Sequence, residues 1–203
     1  MARPGRPRKH DPVADEIRRH IRNADDGAAE KLVASTSVDV PDGENCTPLI
    51  WASFHNRPAL FQWLIDRGAN IDHQNRNGYC ALHYVAQEKL PSIAEMLLNA
   101  GASTELRDAF GNTPLWTAAF NARGDLSVVK LLAEHGASFD NTNNAGKSIR
   151  EMAMIFFPDE LPALTRNRSH PELENRSSRT SRNLQDSSAC RPQEKFRRSW
   201  HVR

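Results

Sequence analysis

The aliphatic residues of the chain recur at helical spacing in short stretches, which are separated by polar segments containing glycine. Within each stretch the aliphatic side chains fall on one face of a helix, which predicts short amphipathic helices. A glycine follows each stretch and can adopt the left-handed conformation with which a chain commonly leaves a helix. The clearest stretches carry Leu60, Leu64 and Ile65 before Gly68, Ile93, Leu97 and Leu98 before Gly101, and Val128, Leu131 and Leu132 before Gly136.

A second set of apolar segments repeats every 33 residues. "CTPLIWAS" (46–53) is followed by "YCALHYVA" (79–86) and then by "NTPLWTAA" (112–119). A threonine before proline can cap a helix whose first position suits the fixed φ of proline, so these segments predict a first helix ahead of each aliphatic stretch. The third unit is two residues longer, because "FNARGD" (120–125) holds an insertion. The repeating unit is therefore a pair of helices.

These segments resemble the starts of ankyrin repeats, which begin with Thr-Pro-Leu-His and have a period of 33. Thr47-Pro48-Leu49 and Thr113-Pro114-Leu115 match directly, and Leu82-His83 keeps the last two residues of the motif. The resemblance implies an all-α solenoid of stacked helix-turn-helix units with projecting β-turn loops. The expected segments are a basic arm (1–10), a degenerate N-terminal capping repeat (11–41), full repeats (42–74, 75–107 and 108–142, the last with the insertion), a truncated C-terminal capping repeat (143–163) and a basic Ser/Arg-rich tail (164–203).

The C-terminal cap is predicted to be incomplete. Residues 147–157 have the pattern of the first helix of a last unit, which Pro158 stops. Its second helix would have to come from "ELPALTRN" (160–167), which is short and weakly apolar. We therefore expect Phe156 and Phe157 to be poorly covered.

Charge is distributed unevenly along the chain, although the total is only +2. Residues 11–163 hold thirteen Lys or Arg against twenty-one Asp or Glu, a net charge of −8, whereas residues 1–10 carry four basic residues and no acid. Residues 164–203 hold ten basic residues against four acidic ones and few aliphatic residues. Such a segment cannot bury enough apolar surface to offset its ordering entropy, which predicts disorder. The sequence thus predicts an acidic folded body between two basic ends.

No set of residues in the chain predicts catalysis. There is no phosphate-binding loop, no paired carboxylate set and no nucleophile motif. The resemblance makes His83 a structural residue whose ring ties neighbouring turns together. No His or Cys stands four residues from His83, and Cys46, Cys80 and Cys190 form no metal-type pair. We therefore expect no enzyme activity, no cofactor and no metal.

The same features bear on location and assembly. An odd number of cysteines without a pairing pattern favours a reducing compartment, so we expect a cytoplasmic protein, or a nuclear one if the organism is eukaryotic. No apolar run is long enough to cross a membrane, and no signal segment opens the chain. The expected partner is another protein rather than a membrane, and the expected state is a monomer.

Residues that the architecture does not need are the candidates for binding a partner. In proteins that this chain resembles, partners meet the turn tips and the inner face of the first helices. Aromatic residues and Arg are also enriched at the centres of protein interfaces. For Phe54 and Phe120 the alternative is burial under the next loop. Transferred position by position, the candidates are Phe54, His55, Arg76, Asn77, Tyr79, Gln87, Glu88, Phe110, Asn112, Phe120 and Asn121.

The favoured interpretation is a non-catalytic scaffold or adaptor that binds another protein. One alternative is a nucleic-acid-associated adaptor, because Gly5-Arg6-Pro7 resembles an AT-hook, although Pro4 stands where an Arg should precede the glycine. A second alternative is an inhibitor or immunity-type binder that occludes an enzyme. The residues of the basic arm that would contact nucleic acid are Arg3, Arg6, Arg8 and Lys9.

The nucleic-acid alternative can be tested by salt dependence. If the basic ends contact phosphates, the full chain should bind duplex DNA at low salt and lose most of that affinity as salt rises, because bound counterions are released. Removal of residues 1–10 and 164–203 should abolish binding. Fluorescence anisotropy with labelled DNA measures both effects, and equal binding by the trimmed protein would exclude this alternative.

Overall fold

The computed structural model describes residues 11–165 of the chain. Within that range the backbone forms ten helices and one isolated bridge, between Thr142 and Ser148. The helices are α1 (Pro12–Arg22), α2 (Asp26–Ala34), α3 (Pro48–Phe54), α4 (Pro58–Ile65), α5 (Ala81–Glu88), α6 (Pro91–Asn99), α7 (Pro114–Asn121), α8 (Ser127–Glu134), α9 (Ile149–Phe156) and α10 (Leu161–Thr165).

The starts of the first helices are set by short polar side chains. The hydroxyl of Thr47 accepts a hydrogen bond from the N–H of Ile50, and that of Thr113 accepts one from Trp116. Ser148 caps α9 in the same way. These bonds satisfy N–H groups that have no partner inside the helix. The Thr-Pro pairs therefore begin helices, as predicted.

The helices pack in two rows. The first helices α1, α3, α5, α7 and α9 contact one another in sequence, and the second helices continue beside them, with α6 against α8 and α8 against α10. Leu60, Leu64, Ile93 and Leu97 are fully buried between the rows. The predicted all-α solenoid of two-helix units is confirmed, and helix-on-helix burial of these stripes is its main source of stability.

The projecting turns are each organised by one Asp or Asn side chain. Asp108 is buried, and its Oδ1 accepts hydrogen bonds from the N–H groups of Phe110 and Asn112, both at 2.8 Å. The same two-bond pattern recurs in the other three turns, at Asp42, Asn75 and Asn143. The first three residues lie 33 positions apart. This spacing makes them a further repeated feature of the sequence, beside the Thr-Pro pairs and the glycines.

Successive turns are joined by backbone hydrogen bonds. The N–H of Arg76 donates to the carbonyl oxygen of Glu44 (3.1 Å), that of Ala109 to Asn77 (2.9 Å), and that of Asn144 to Phe110 (2.9 Å). We call the four turns, residues 42–46, 75–79, 108–112 and 143–147, the tips. Because every tip bonds to the next, the tips form one continuous edge of the repeat array.

The C-terminal cap differs in part from the prediction. Phe157 is buried at 5% exposure, whereas Phe156 remains 41% exposed, so only one of the two is poorly covered. Leu161 is buried, and Thr165 bonds its hydroxyl to the Leu161 carbonyl oxygen inside α10. Helix α10 therefore runs two residues past position 163, where the cap was predicted to end.

Close contact between tips makes a testable difference between two glycines. Gly78 and Gly101 both have left-handed φ values, 76° and 88°. A Cβ on Gly78 would lie 2.8 Å from the Cα of Asp108 in the next tip, whereas nothing lies within 4 Å of a Cβ on Gly101. Gly101→Ala should cost about 1–2 kcal/mol of unfolding free energy, the left-handed penalty alone.

Gly78→Ala should cost more than Gly101→Ala, because the two tips must also move apart. Urea unfolding of both variants measures the difference. Equal losses would contradict the close tip-to-tip contact.

Candidate interaction surface

A row of aromatic side chains crosses from one repeat to the next on the side of the tips. Phe54, at the end of α3, lies 5.5 Å from Tyr84 of α5, and Tyr84 lies 5.4 Å from Tyr79 of the second tip, measured between ring centroids. Trp51 of α3 lies 6.0 Å from Phe54, and His55 stacks on Trp51 at 5.8 Å. We call these five residues the aromatic row. It joins the end of one first helix to the next tip.

Buried polar groups hold the row in place. The indole N–H of Trp51 donates to Asp42 at 2.9 Å, and the guanidinium of Arg18 lies 5.2 Å from the centroid of the same ring. The side-chain amide of Asn75 donates to the hydroxyl oxygen of Tyr84 at 2.9 Å. Burial raises the pKa of the Tyr84 hydroxyl, so the phenol stays neutral. The side chains that organise the tips therefore also orient the rings.

Two predicted contact residues extend beyond the row as exposed rings. Phe110 at the third tip is 56% exposed, and Phe120 at the end of α7 is 42% exposed. Most large apolar side chains of the described chain are buried. These two rings are instead open to solvent, so packing of the core does not explain why they are aromatic. The burial expected as the alternative for Phe120 does not occur.

Other predicted residues are less accessible than expected. Tyr79 is half-buried, because its ring packs against His83 (5.1 Å) and Tyr84. Phe54 is half-buried because its ring packs against Tyr84 of α5, and not because a loop covers it. Tyr79 is therefore only partly open to a partner.

The polar candidates divide into exposed and engaged side chains. Arg76 and Asn77 are exposed at the second tip. Gln87 and Glu88 are exposed at the end of α5 and bond to each other. Two candidates are half-buried and already bonded within the fold: Asn112 to Asp108 and Asn143, and Asn121 to the carbonyl oxygen of Thr117.

Sequence reasoning missed Trp51 and Tyr84 as members of this surface. They occupy the same repeat position, 33 residues apart, which would have placed both on one side of the first helices. Their link through Phe54 depends on packing between repeats and has no signal in the sequence.

His83 is a structural residue, as predicted. It is fully buried; its Nδ1 accepts the N–H of Cys80 at 3.3 Å, and its Nε2 donates to the carbonyl oxygen of Asn112, in the next tip, at 3.1 Å. Burial lowers the pKa of His83, which favours the neutral ring that this pattern requires. Burial also raises the pKa of the Cys80 thiol to about 11, so the thiol stays protonated.

Several predictions fall outside the described residues. The basic arm with Arg3, Arg6, Arg8 and Lys9 and the tail beyond Thr165 lie outside them. Among residues 11–165, no group of His, Cys, Asp and Glu could hold a metal ion. No helix within the same range is long and apolar enough to cross a membrane.

Comparison with known proteins agrees with this geometry. Residues 20–108 and 49–144 match the family described as ankyrin repeats (3 copies), which covers more than half of the chain. The chain belongs to the ankyrin-repeat family. Members of this family generally serve as protein–protein interaction modules, so the chain is a module of that class.

The relatives are much longer proteins. The chain is 34% identical over 116 residues to E3 ubiquitin-protein ligase Ufd4 of Drosophila melanogaster, a match that covers 54% of this chain and 4% of that protein. It is 28% identical over 157 residues to NF-kappa-B inhibitor delta of Mus musculus, covering 67% and 48%. It is 30% identical over 110 residues to ankyrin repeat protein OPG189 of Variola virus, covering 53% and 19%. The chain thus spans less than half the length of these relatives.

The buried His83 predicts a pH dependence of stability. Its folded pKa lies below the unfolded value of about 6.5, so the unfolded state binds the proton more readily. Stability from the neutral ring is complete above about pH 6.5 and is lost as pH falls from there towards the folded pKa. Once protonated, Nδ1 of His83 could no longer accept the hydrogen bond from the Cys80 N–H.

We expect the urea concentration at the midpoint of unfolding to decrease as the pH is lowered from about 7.5 to 5.5. The decrease should be smaller in His83→Gln, because glutamine does not titrate in this range. His135→Gln, at the exposed end of α8, is the control. An identical pH dependence in His83→Gln and the unchanged chain would contradict the assignment.

Proposed function

We propose that the chain binds another protein along the surface formed by the tips and the ends of the first helices, without catalysing a reaction. The observation that carries this proposal is the pair of exposed rings, Phe110 and Phe120, beside the aromatic row. Exposed aromatic side chains on a rigid polar framework stabilise no part of the fold, whereas they are typical of interface centres.

The neighbouring groups favour a partner segment with apolar side chains and at least one acid. Phe110 and Phe120 offer apolar area that a partner could cover. Arg76 is exposed and makes no ion pair among the described residues, so it can donate to a carboxylate. Because the aromatic row is held by Asp42 and Asn75, little ordering of this surface would be needed on binding.

Of the two alternatives, the inhibitor has one further observation in its favour. One relative, whose match covers 67% of this chain, is named NF-kappa-B inhibitor delta. An inhibitor would use the same surface, with an enzyme or another active protein as the partner. The nucleic-acid alternative rests on the basic ends, because residues 11–163 carry a net charge of −8 and would repel phosphates.

Paired measurements of binding and stability test the proposal. Affinity capture with the full chain, followed by mass spectrometry, supplies the partner. Phe110→Ala and Phe120→Ala should then each weaken its binding about tenfold or more, since central aromatic truncations cost over about 1 kcal/mol. The same variants should change unfolding free energy by only about 0.5 kcal/mol, because both rings are exposed.

Met154→Ala is the matched control, because Met154 is an exposed apolar residue on α9, away from both rings in sequence and element. It should leave partner binding unchanged. If all three variants weaken binding equally, or if none does, the proposed surface is wrong.

A further inference from the structure

Helix α9, the first helix of the last unit, carries an exposed apolar surface. Among the described residues only five large apolar side chains are exposed, and three of them are consecutive on α9. They are Met154 (58% exposed), Ile155 (51%) and Phe156 (41%), which we call the α9 patch. A helix of eight residues with this much exposed apolar area at its end has a reason other than its own folding.

The register of the repeats shows what this surface corresponds to. Thr47, Thr113 and Ser148 cap their helices in the same way, so residues six positions later are equivalent. In the earlier repeats these are Ser53 and Ala119, which are 0% and 2% exposed in helices that contact the next first helix. In α9 the equivalent residue is Met154. Met154 therefore continues the interface that joins one repeat to the next, whereas Ile155 and Phe156 are equivalent to Phe120 and Asn121 at the end of α7.

The tips agree with this comparison. The carbonyl oxygens of Glu44, Asn77 and Phe110 each accept an N–H from the following tip. The equivalent carbonyl, that of Ala145, accepts no hydrogen bond from residues 11–165. The row of first helices and the tip edge thus both end at the fourth unit, with no further layer among residues 11–165.

The opposite end of the described array is closed. Helix α1 buries Ala14, Ile17 and Ile21, and after Pro12 its exposed positions, Glu16, Arg19 and Arg22, are charged. A second copy could not cover the α9 patch with this polar helix. Within the described chain the other exposed large apolar side chains, Phe110 and Phe120, are single rings on another tip and helix, so the apolar surface that best matches the α9 patch is a second α9 patch.

We propose that two copies of the chain associate through their α9 patches, with the two α9 helices antiparallel. Lys147 precedes α9, whereas Asp159 and Glu160 follow it, and all three are exposed. An antiparallel contact places the basic end of one helix beside the acidic end of the other, which steers the orientation. Because the patch contains only three side chains, the dimer is weak and depends on concentration. This dimer differs from the monomer expected from the sequence.

Sedimentation equilibrium of the full chain over a wide concentration range tests the proposal. The unchanged chain should convert from monomer to dimer, and Ile155→Lys should raise the dissociation constant about tenfold or more, because a charge enters the apolar contact. Ala59→Lys is the control, since it puts the same charge at an exposed apolar position of α4, in the first full repeat. It should leave dimerisation unchanged.

Charge reversal tests the antiparallel arrangement. Lys147→Glu should weaken the dimer, and adding Glu160→Lys to it should restore the affinity. A chain that stays monomeric at every concentration would overturn the proposal. So would equal weakening by Ala59→Lys and Ile155→Lys, or failure of the double variant to recover. None of these results decides whether the proposed partner surface is right. That surface is tested separately, by the partner binding of Phe110→Ala and Phe120→Ala with Met154→Ala as the control.

Discussion

The capture of backbone N–H groups by one Asp or Asn side chain in each tip is the interaction on which the rest of the structure depends. Asp108 satisfies two N–H groups of its own turn, and the turn can then present the Phe110 carbonyl oxygen to the next tip. Without that side chain the two partly buried N–H groups would lose their acceptor, at a cost of about 1 kcal/mol each. The fixed tips in turn determine where each following first helix begins.

The same side chains connect the framework to the candidate surface. Asp42 binds the Trp51 indole, and Asn75 binds the Tyr84 hydroxyl, so two organisers of the tips also hold two rings of the aromatic row. His83 extends this link by bonding its own turn to the Asn112 carbonyl oxygen in the next tip. Stability and surface shape therefore rest on one hydrogen-bonded network, from which the Phe110 and Phe120 side chains extend into solvent.

The two ends of the array show how a repeat protein must treat its terminal units. Each internal repeat covers its predecessor, so an end unit needs either a polar outer face or a partner. Helix α1 provides the polar face, whereas α9 ends in Met154, Ile155 and Phe156. Because apolar area exposed to water is unfavourable, the α9 end favours association, while the N-terminal end does not.

The sequence by itself determined the two-helix repeat, because helix starts at Thr47 and Thr113 and left-handed turns at Gly68 and Gly101 depend on residues close in the chain. It also determined most of the aliphatic core, since helical periodicity fixes one face, although Ile65 and Leu131 of the predicted stripes are only half-buried. Only the tertiary structure decided that Phe54 meets Tyr84, that Tyr79 is half-buried and that Met154 is exposed. Those outcomes depend on which repeat packs next, and a repeat position has the same local sequence pattern whether or not a neighbour covers it.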